Sequence, residues 1–307
     1  MRWKGVMPAI TTAFKEDLGV DHEFMARHAN WLIENGCTGI VALGSLGEGA
    51  TLEHDEKIAI LQNLIEAVGD KVPVVAAVSA LSTKQAVTLA REAKDVGCKG
   101  LMVLPPYIYQ SDWREMKAHV AAVFEATNLS CMIYNNPVAY GTDFTPEQIQ
   151  ELANEHANLQ AVKESSTDVR RITAIKVLTG DRLRIFVGVD DVIVEGIRAG
   201  AVGWIAGLVN ALPKESVDLF NYAMIGETEK AFELYRWFLP LLRLDTVVKF
   251  VQLIKLVQEE VGMGNARVRP PRLELVGKEL EETKALIQEA LGKKSVPPAV
   301  AGGSVFN

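Results

Sequence analysis

Eight short apolar runs, each followed by a stretch of helical periodicity, set what this chain can fold into. They are GVMPAITTAF (5–14), GIVALG (39–44), PVVAAVS (73–79), GLMVLPP (100–106), SCMIYNN (130–136), LQAVKES (159–165), RIFVGVD (184–190) and GWIAGLV (203–209). Spaced at intervals of about 25–30 residues, they read as βα units. The segments between them, such as HEFMARHANWLIENG and TKQAVTLAREAKDVG, carry Ser, Thr or Asp at several starts and Gly at their ends, the punctuation of capped helices. Strands that are apolar throughout must be covered on both faces, and eight successive βα units close most economically into a (β/α)8 TIM barrel. An open doubly wound sheet is the competing arrangement; it normally carries a G-x-G-x-x-G turn after the first strand, and none is present.

No further strand pattern follows residue 213, whereas helical patterns occupy 214–225, 227–238, 245–261 and 277–291. One of these completes the barrel, and the surplus predicts a C-terminal helical extension. The expected division is a barrel over 1–225, a helical subdomain packed on it over 226–292, and a flexible tail over 293–307, rich in Pro, Gly and Ser.

With 307 residues, 49% of them hydrophobic, the chain can bury a large core, and a formal charge of -7 argues against nucleic-acid or anionic-membrane partners. RVRPPR (267–272) is the one dense basic run and reads as a solvated or tied-down surface segment. The three cysteines, Cys37, Cys98 and Cys131, have no metal-site spacing and are expected to be small buried residues in a reducing cytoplasm. No run approaches the ~18 apolar residues of a membrane span.

In a (β/α)8 barrel, reactive groups stand at the C-terminal ends of the strands. That rule selects GSLGEGAT (44–51), PPYIYQ (105–110), YNNP (134–137), Lys163 and GVDD (188–191). Lys163 interrupts an apolar strand, and burying an ammonium is costly unless it is paired or made neutral. It is either a structural ion paired across the barrel or a neutral amine ready to attack a carbonyl. Glu164 is not its natural partner, because adjacent strand residues point to opposite faces. Tyr134, at the end of the neighbouring strand, would supply the proton shuttle that imine formation needs.

The glycines and hydroxyl of GSLGEGAT suit a carboxylate or phosphate, while a plain turn with Glu48 capping its backbone is the equal alternative. Asp190 and Asp191 are placed either to bind Mg²⁺ or to cap the next helix. Histidines 22, 28, 54, 119 and 156 fall in helices or their approaches and are expected at the surface.

GSLGE, YNNP and AVKESS, in that order on runs two, five and six, together resemble the signature of the dihydrodipicolinate synthase and N-acetylneuraminate lyase family of class I aldolases, over about residues 3–292. The resemblance implies a homotetramer built as a dimer of dimers, and no metal or organic cofactor beyond a covalent imine on Lys163. By motif match Lys163 is the Schiff-base lysine, Tyr134 the proton shuttle and Ser45, with nearby backbone N–H groups, the carboxylate site. Gly44, Leu46, Tyr107, Tyr109, Asn136 and Val189 are the expected substrate-binding residues.

Three departures bear on the substrate. Ser45–Leu46 stands where the synthase carries two threonines, Ala139 where it carries an arginine for the second substrate's carboxylate, and Ile108 where it carries the tyrosine donated across a subunit interface. These point towards the dehydratase and deaminase branch, with 1-pyrroline-4-hydroxy-2-carboxylate as the favoured substrate. The alternatives are the synthase itself, an aldolase or dehydratase for 2-keto-3-deoxy sugar acids, and a non-catalytic 2-oxo acid binder.

Overall fold

The computed structural model describes residues 1–107 and 109–293. Its eight strands are β1 (Gly5–Pro8), β2 (Ile40–Ala42), β3 (Val74–Val78), β4 (Gly100–Val103), β5 (Ser130–Asn135), β6 (Leu159–Glu164), β7 (Arg184–Val187) and β8 (Gly203–Ala206). All pair in parallel, neighbour to neighbour from β2 to β8, and β8 pairs with β1. Across the remaining seam Ala9 bridges Val41, and the Thr38 N–H donates to the Val6 carbonyl at 2.8 Å. The sheet is a (β/α)8 barrel.

The ladders are shorter than the apolar runs that announce them, and β1 ends at Pro8 rather than Phe14. The overrun occurs because residues just past several strands stay apolar while leaving the ladder: Leu104, Val189, Leu208 and Val209 are all buried in loops over the barrel end. Burial on both faces is what gives the runs their continuous apolar character. Trp204 and Phe186 are among the largest fully buried side chains, each worth roughly 1.5–3 kcal/mol or more of apolar burial.

The helices are α1 (His22–Glu34), α2 (His54–Val68), α3 (Thr83–Asp95), α4 (Trp113–Glu125), α5 (Pro137–Tyr140), α6 (Pro146–Glu155), α7 (Arg170–Thr179), α8 (Ile193–Arg198) and α9 (Pro213–Ile225), followed by α10 (Thr228–Leu242), α11 (Phe250–Glu260) and α12 (Gly277–Lys293). Side-chain caps fix several starts: Asp21, Ser82 and Asp112 accept from the third backbone N–H after them. The pattern read as a helix from 245 resolves into a 3-10 turn, Arg243–Asp245, and α11 beginning only at Phe250. The tail expected from residue 293 lies, beyond Lys293 itself, outside the described residues, as does Ile108.

Two histidines depart from their expected surface positions. His28 is fully enclosed, stacked near Phe24 and Trp31, with Nε2 bonded to the Asn210 carbonyl at 2.8 Å. Burial, opposed by that bond, brings its pKa down to about 4. His119 is also buried, with Nδ1 3.0 Å from Thr83 Oγ1. Both sit on the apolar stripes of their helices. The basic run is tied down: Arg269 pairs with Glu56 at 2.6 Å and donates to the Thr51 and Leu18 carbonyls. The three cysteines are free and buried, and no helix among the described residues is long and apolar enough to cross a membrane.

Candidate active site

Strand register brings the two principal candidates together. Tyr134 on β5 pairs directly with Lys163 on β6, and the Lys163 Nζ lies 4.2 Å from the centroid of the tyrosine ring. The lysine is only 6% exposed, yet among the described residues its amine forms neither an ion pair nor a hydrogen bond. The reading as a structural ion pair therefore fails. Burial lowers its pKa to about 8, against the opposing pull of Asp245 and then Asp190. A lysine poised there is neutral in about a tenth of molecules at pH 7, far more than an ordinary lysine, and the neutral amine is the form that attacks a carbonyl.

The outer side of the same strands carries the support. Glu164 points away from Lys163, as strand alternation requires, and accepts from Asn135 Nδ2 at 3.2 Å and the Ser166 N–H at 2.7 Å. Asn135 also donates to Asp143 at 3.0 Å, and Arg171 pairs with Asp143 at 2.9 Å. This network clamps the ends of β5 and β6, fixing the strand positions from which Tyr134 and Lys163 project. On the adjacent strand end, a Cβ at Gly188 would overlap Ser165 Oγ and stand 2.6 Å from Lys163 Cε and 2.8 Å from its Cγ, so glycine leaves room for both the serine hydroxyl and the lysine stem.

Around the phenol the hydroxyl groups converge. Asn136 caps α5 by accepting from the Ala139 N–H at 3.0 Å, which leaves its amide N–H to donate to Tyr134 Oη, also at 3.0 Å. Burial pushes the Tyr134 phenol up, and the Asn136 bond offsets part of that. Tyr140, at the end of α5, hydrogen-bonds Ser45 Oγ. Its ring packs edge-on to Tyr134 at 6.0 Å and tilted against Tyr107 at 5.5 Å. Burial raises its pKa as well. Ser79 Oγ donates to the Tyr107 hydroxyl at 3.1 Å.

The Ser45 loop follows β2 and is bracketed by two non-glycine residues in left-handed conformation, Leu43 at φ 66° and Glu48 at φ 54°. Its turn bonds use the N–H groups of Glu48 and Gly49. Those of Ser45, Leu46 and Gly47 donate to nothing among the described residues, a set of donors suited to a carboxylate. Glu48 does not cap its own turn, the alternative the sequence left open. Its carboxylate is 0% exposed and pairs with Lys255 of α11 at 2.6 Å, and it accepts from the Arg269 N–H at 3.0 Å. A buried ion pair thus ties the loop to the C-terminal helices.

Asp190 is neither a metal ligand nor a cap for the helix that follows it. It reaches to the next loop, accepting from Trp204 Nε1 at 2.9 Å, the Gly207 N–H at 3.1 Å and the Leu208 N–H at 2.8 Å. Burial still lifts its pKa to about 6. Among the described residues no group of three or more His, Cys, Asp or Glu could hold a metal ion.

Of the other expected residues, Gly44, Leu46 and Val189 are buried at the ends of β2 and β7, with Leu46 an apolar side chain in the Ser45 turn. Tyr109 is 53% exposed and not part of the hydroxyl cluster. Sequence reasoning missed Tyr140, Asp245 and Lys255. Tyr140 lies three residues beyond the YNNP stretch, and Lys255 is a lone cation in an apolar helix, the same signal that singled out Lys163.

A buried, unpaired lysine amine beside a phenol, at the C-terminal mouth of a (β/α)8 barrel, defines the class of lysine Schiff-base lyases. The chain belongs to the dihydrodipicolinate synthetase family, whose model matches residues 2–290. It is 32% identical to the 4-hydroxy-tetrahydrodipicolinate synthase of Methanopyrus kandleri, with 96% of this chain and 97% of that protein covered. The enzyme of the same name from Methanocaldococcus jannaschii is 30% identical, with 94% and 98% covered. Among solved structures, a prophage protein of the dihydrodipicolinic acid synthase family from E. coli K12, in complex with pyruvate, superposes with a TM-score of 0.89 at 25% identity, over 94% of this chain and 99% of that one. The family's enzymes work through a lysine Schiff base, without a metal or external cofactor.

Proposed function

We propose that this enzyme forms an imine between Lys163 and the C2 carbon of a 2-oxo acid or its cyclic imine, and that its reaction is dehydration and deamination of a 4-hydroxylated substrate such as 1-pyrroline-4-hydroxy-2-carboxylate. The observation that carries the covalent step is the buried Lys163 amine, free of any counter-ion among the described residues, 4.2 Å from the Tyr134 ring. The Ser45 hydroxyl and the three unclaimed N–H groups after β2 receive the substrate carboxylate. Tyr134 moves protons at the carbinolamine oxygen. The imine acidifies the C3–H bond, the enamine expels the C4 hydroxyl as water, and two waters then hydrolyse the C5 imine, releasing ammonia, and the Lys163 imine, freeing 2-oxoglutarate semialdehyde and the amine.

Two features favour this substrate over a second carboxylate-bearing one. Ala139, exposed beside the mouth, offers no charge to a second carboxylate. Of the two acids that act on the charge of Lys163, Asp245 and Asp190, the second is committed to Trp204, Gly207 and Leu208, while the Asp245 carboxylate accepts no hydrogen bond among the described residues and suits a hydroxyl or amine donor. The names of the relatives favour a second reading, condensation of pyruvate with an aldehyde to give 4-hydroxy-tetrahydrodipicolinate. Assaying ammonia release from the hydroxylated pyrroline beside condensation of pyruvate with aspartate semialdehyde separates the two. Condensation alone would replace the first reading with the second.

A homotetramer in the cytoplasm completes the proposal. It is supported by exposed Leu81, Tyr109 and Val138 following β3, β4 and β5, and by three free buried thiols. In this arrangement residues 226–292 form a helical subdomain that anchors the Ser45 loop through Lys255. Sedimentation equilibrium tests the assembly; a monomer at micromolar concentration would remove it.

A further inference from the structure

Ser45 Oγ can help to hold a carboxylate only if its hydrogen faces the ligand. A serine hydroxyl has one hydrogen and two lone pairs, and lone pairs turned towards an anion repel it. Which way the hydroxyl points is set by its own partner, and that partner is the Tyr140 hydroxyl. Tyr134 faces the same serine, whose hydroxyl acts on the Tyr134 pKa.

Tyr140 is brought to Ser45 by the single helical turn α5, which is tied down at both ends. At its start Asn136 accepts from the Ala139 N–H at 3.0 Å, and the Asn136 carbonyl accepts from the Tyr140 N–H at 3.1 Å. At its end Gly141 takes the left-handed conformation, φ 67°, and its N–H closes onto the Pro137 carbonyl at 2.9 Å. Thr142 Oγ1 then donates to the Pro106 carbonyl at 3.0 Å, joining the turn to the loop after β4. The same Asn136 side chain donates to Tyr134 Oη, so one turn of helix sets both phenols.

A phenol against a serine hydroxyl can donate or accept, and three observations make Tyr140 the donor. The phenol is the more acidic of the two groups. Burial raises its pKa further, so it keeps its proton across the working range. Its hydroxyl forms no other hydrogen bond among the described residues, and a buried donor left without an acceptor is costly. The neighbouring Tyr107 hydroxyl takes its own bond from Ser79.

We propose that Tyr140 is a positioning residue for the substrate carboxylate: its phenol donates to Ser45 Oγ and so turns the serine hydrogen outward, beside the unclaimed N–H groups of Ser45, Leu46 and Gly47. The proposal rests on the imine chemistry and carboxylate site described under the proposed function, and adds the group that sets the polarity of that site. No bond is made or broken at Tyr140. Its effect reaches the ligand through Ser45 alone.

The test uses the full-length enzyme and measures the initial rate of borohydride-trapped adduct at Lys163 against ligand concentration, for the parent, Tyr140→Phe, Ser45→Ala and the double variant. Pyruvate is compared with methyl pyruvate, whose carboxylate is masked as a neutral ester. In Tyr140→Phe the half-saturating pyruvate concentration should rise by roughly 10-fold, the lower end of what a hydrogen bond to a charged group is worth. The maximal trapping rate should be unchanged, and so should the dependence on methyl pyruvate. The double variant should bind pyruvate no more weakly than Ser45→Ala, because a residue that acts through the serine has nothing left to act on. Unchanged half-saturation by pyruvate in Tyr140→Phe, with the parent still trapped at Lys163, would overturn the role of Tyr140 and leave the Schiff-base reading intact. Equal impairment with both ligands, or a lowered maximal rate at unchanged half-saturation, would move the residue to the lysine chemistry and overturn the proposal. A double variant weaker than Ser45→Ala would show that Tyr140 acts without the serine, and would overturn it as well. Absence of adduct in the parent would remove the Schiff-base function itself, and this proposal with it.

Discussion

Replacing Lys255 by methionine isolates the contribution of the ion pair that ties the Ser45 loop to α11. Methionine matches the length and volume of the lysine stem in the surrounding apolar helix, where Val251, Ile254, Leu256 and Val257 are buried. What is lost is the 2.6 Å bond to Glu48 and the 2.5 Å bond to the Arg267 carbonyl. With Glu48 0% and Lys255 2% exposed, water cannot replace either bond, and the Glu48 carboxylate keeps one N–H donor, from Arg269. Two charge-assisted bonds at roughly 1.5–3 kcal/mol each agree with the ~3–5 kcal/mol typical of breaking one side of a buried pair. At about 2 °C per kcal/mol for a chain of this size, thermal unfolding should fall by about 6–10 °C. Scanning calorimetry with urea titration measures it. The double variant Glu48→Gln/Lys255→Met should lose less than the sum of the single variants, because no charge is stranded. Lys255→Met within about 1 kcal/mol of the parent would refute the reasoning.

Further outcomes follow from the site and from the misplaced histidine. Tyr134→Phe should slow turnover by about 10²–10⁴-fold while leaving thermal stability near that of the parent, read by steady-state kinetics beside calorimetry. Because burial holds the Lys163 pKa at about 8, kcat/KM should rise close to tenfold per pH unit below that value and level off above it; a flat profile from pH 6 to 9 would contradict a titrating amine. Gly188→Ala should displace the lysine stem and abolish adduct formation, and retention of the adduct would show that the stem has another path. For His28 the folded pKa of about 4 lies below the ordinary 6.5. Its contribution is therefore present above pH 6.5 and is lost as pH falls towards 4, by up to about 3 kcal/mol. His28→Gln should flatten the decline in urea midpoint between pH 7 and 4.5, and an identical decline in the variant would assign it to other groups.

The barrel was legible because a strand covered on both faces has to be apolar throughout, and eight such runs leave few alternatives. Strand ends were not, since Leu104, Val189 and Leu208 are buried as loop residues and carry the same apolar character as the ladder. Lys163 and Tyr134 stood out as polar groups at strand ends, and register alone joins them. Tyr140 was missed because its approach to Ser45 spans 95 residues of chain and depends on the short helix that Asn136 caps. The Glu48–Lys255 pair spans 207 residues, so nothing local points from one to the other. His28 could have been found: Met25, His28, Ala29 and Leu32 form one buried stripe on α1, and helical spacing outweighs residue type there. Asp245 was hidden by a helical pattern that the chain interrupts with a 3-10 turn.

The central claim is that the Lys163 nitrogen bonds covalently to the carbonyl carbon of a 2-oxo acid. Incubation with pyruvate and borohydride, followed by peptide mass mapping, tests it most directly. The account predicts a single stable adduct on the peptide containing Lys163, absent in Lys163→Ala. An unmodified Lys163 peptide from an enzyme that nevertheless turns over substrate would contradict it.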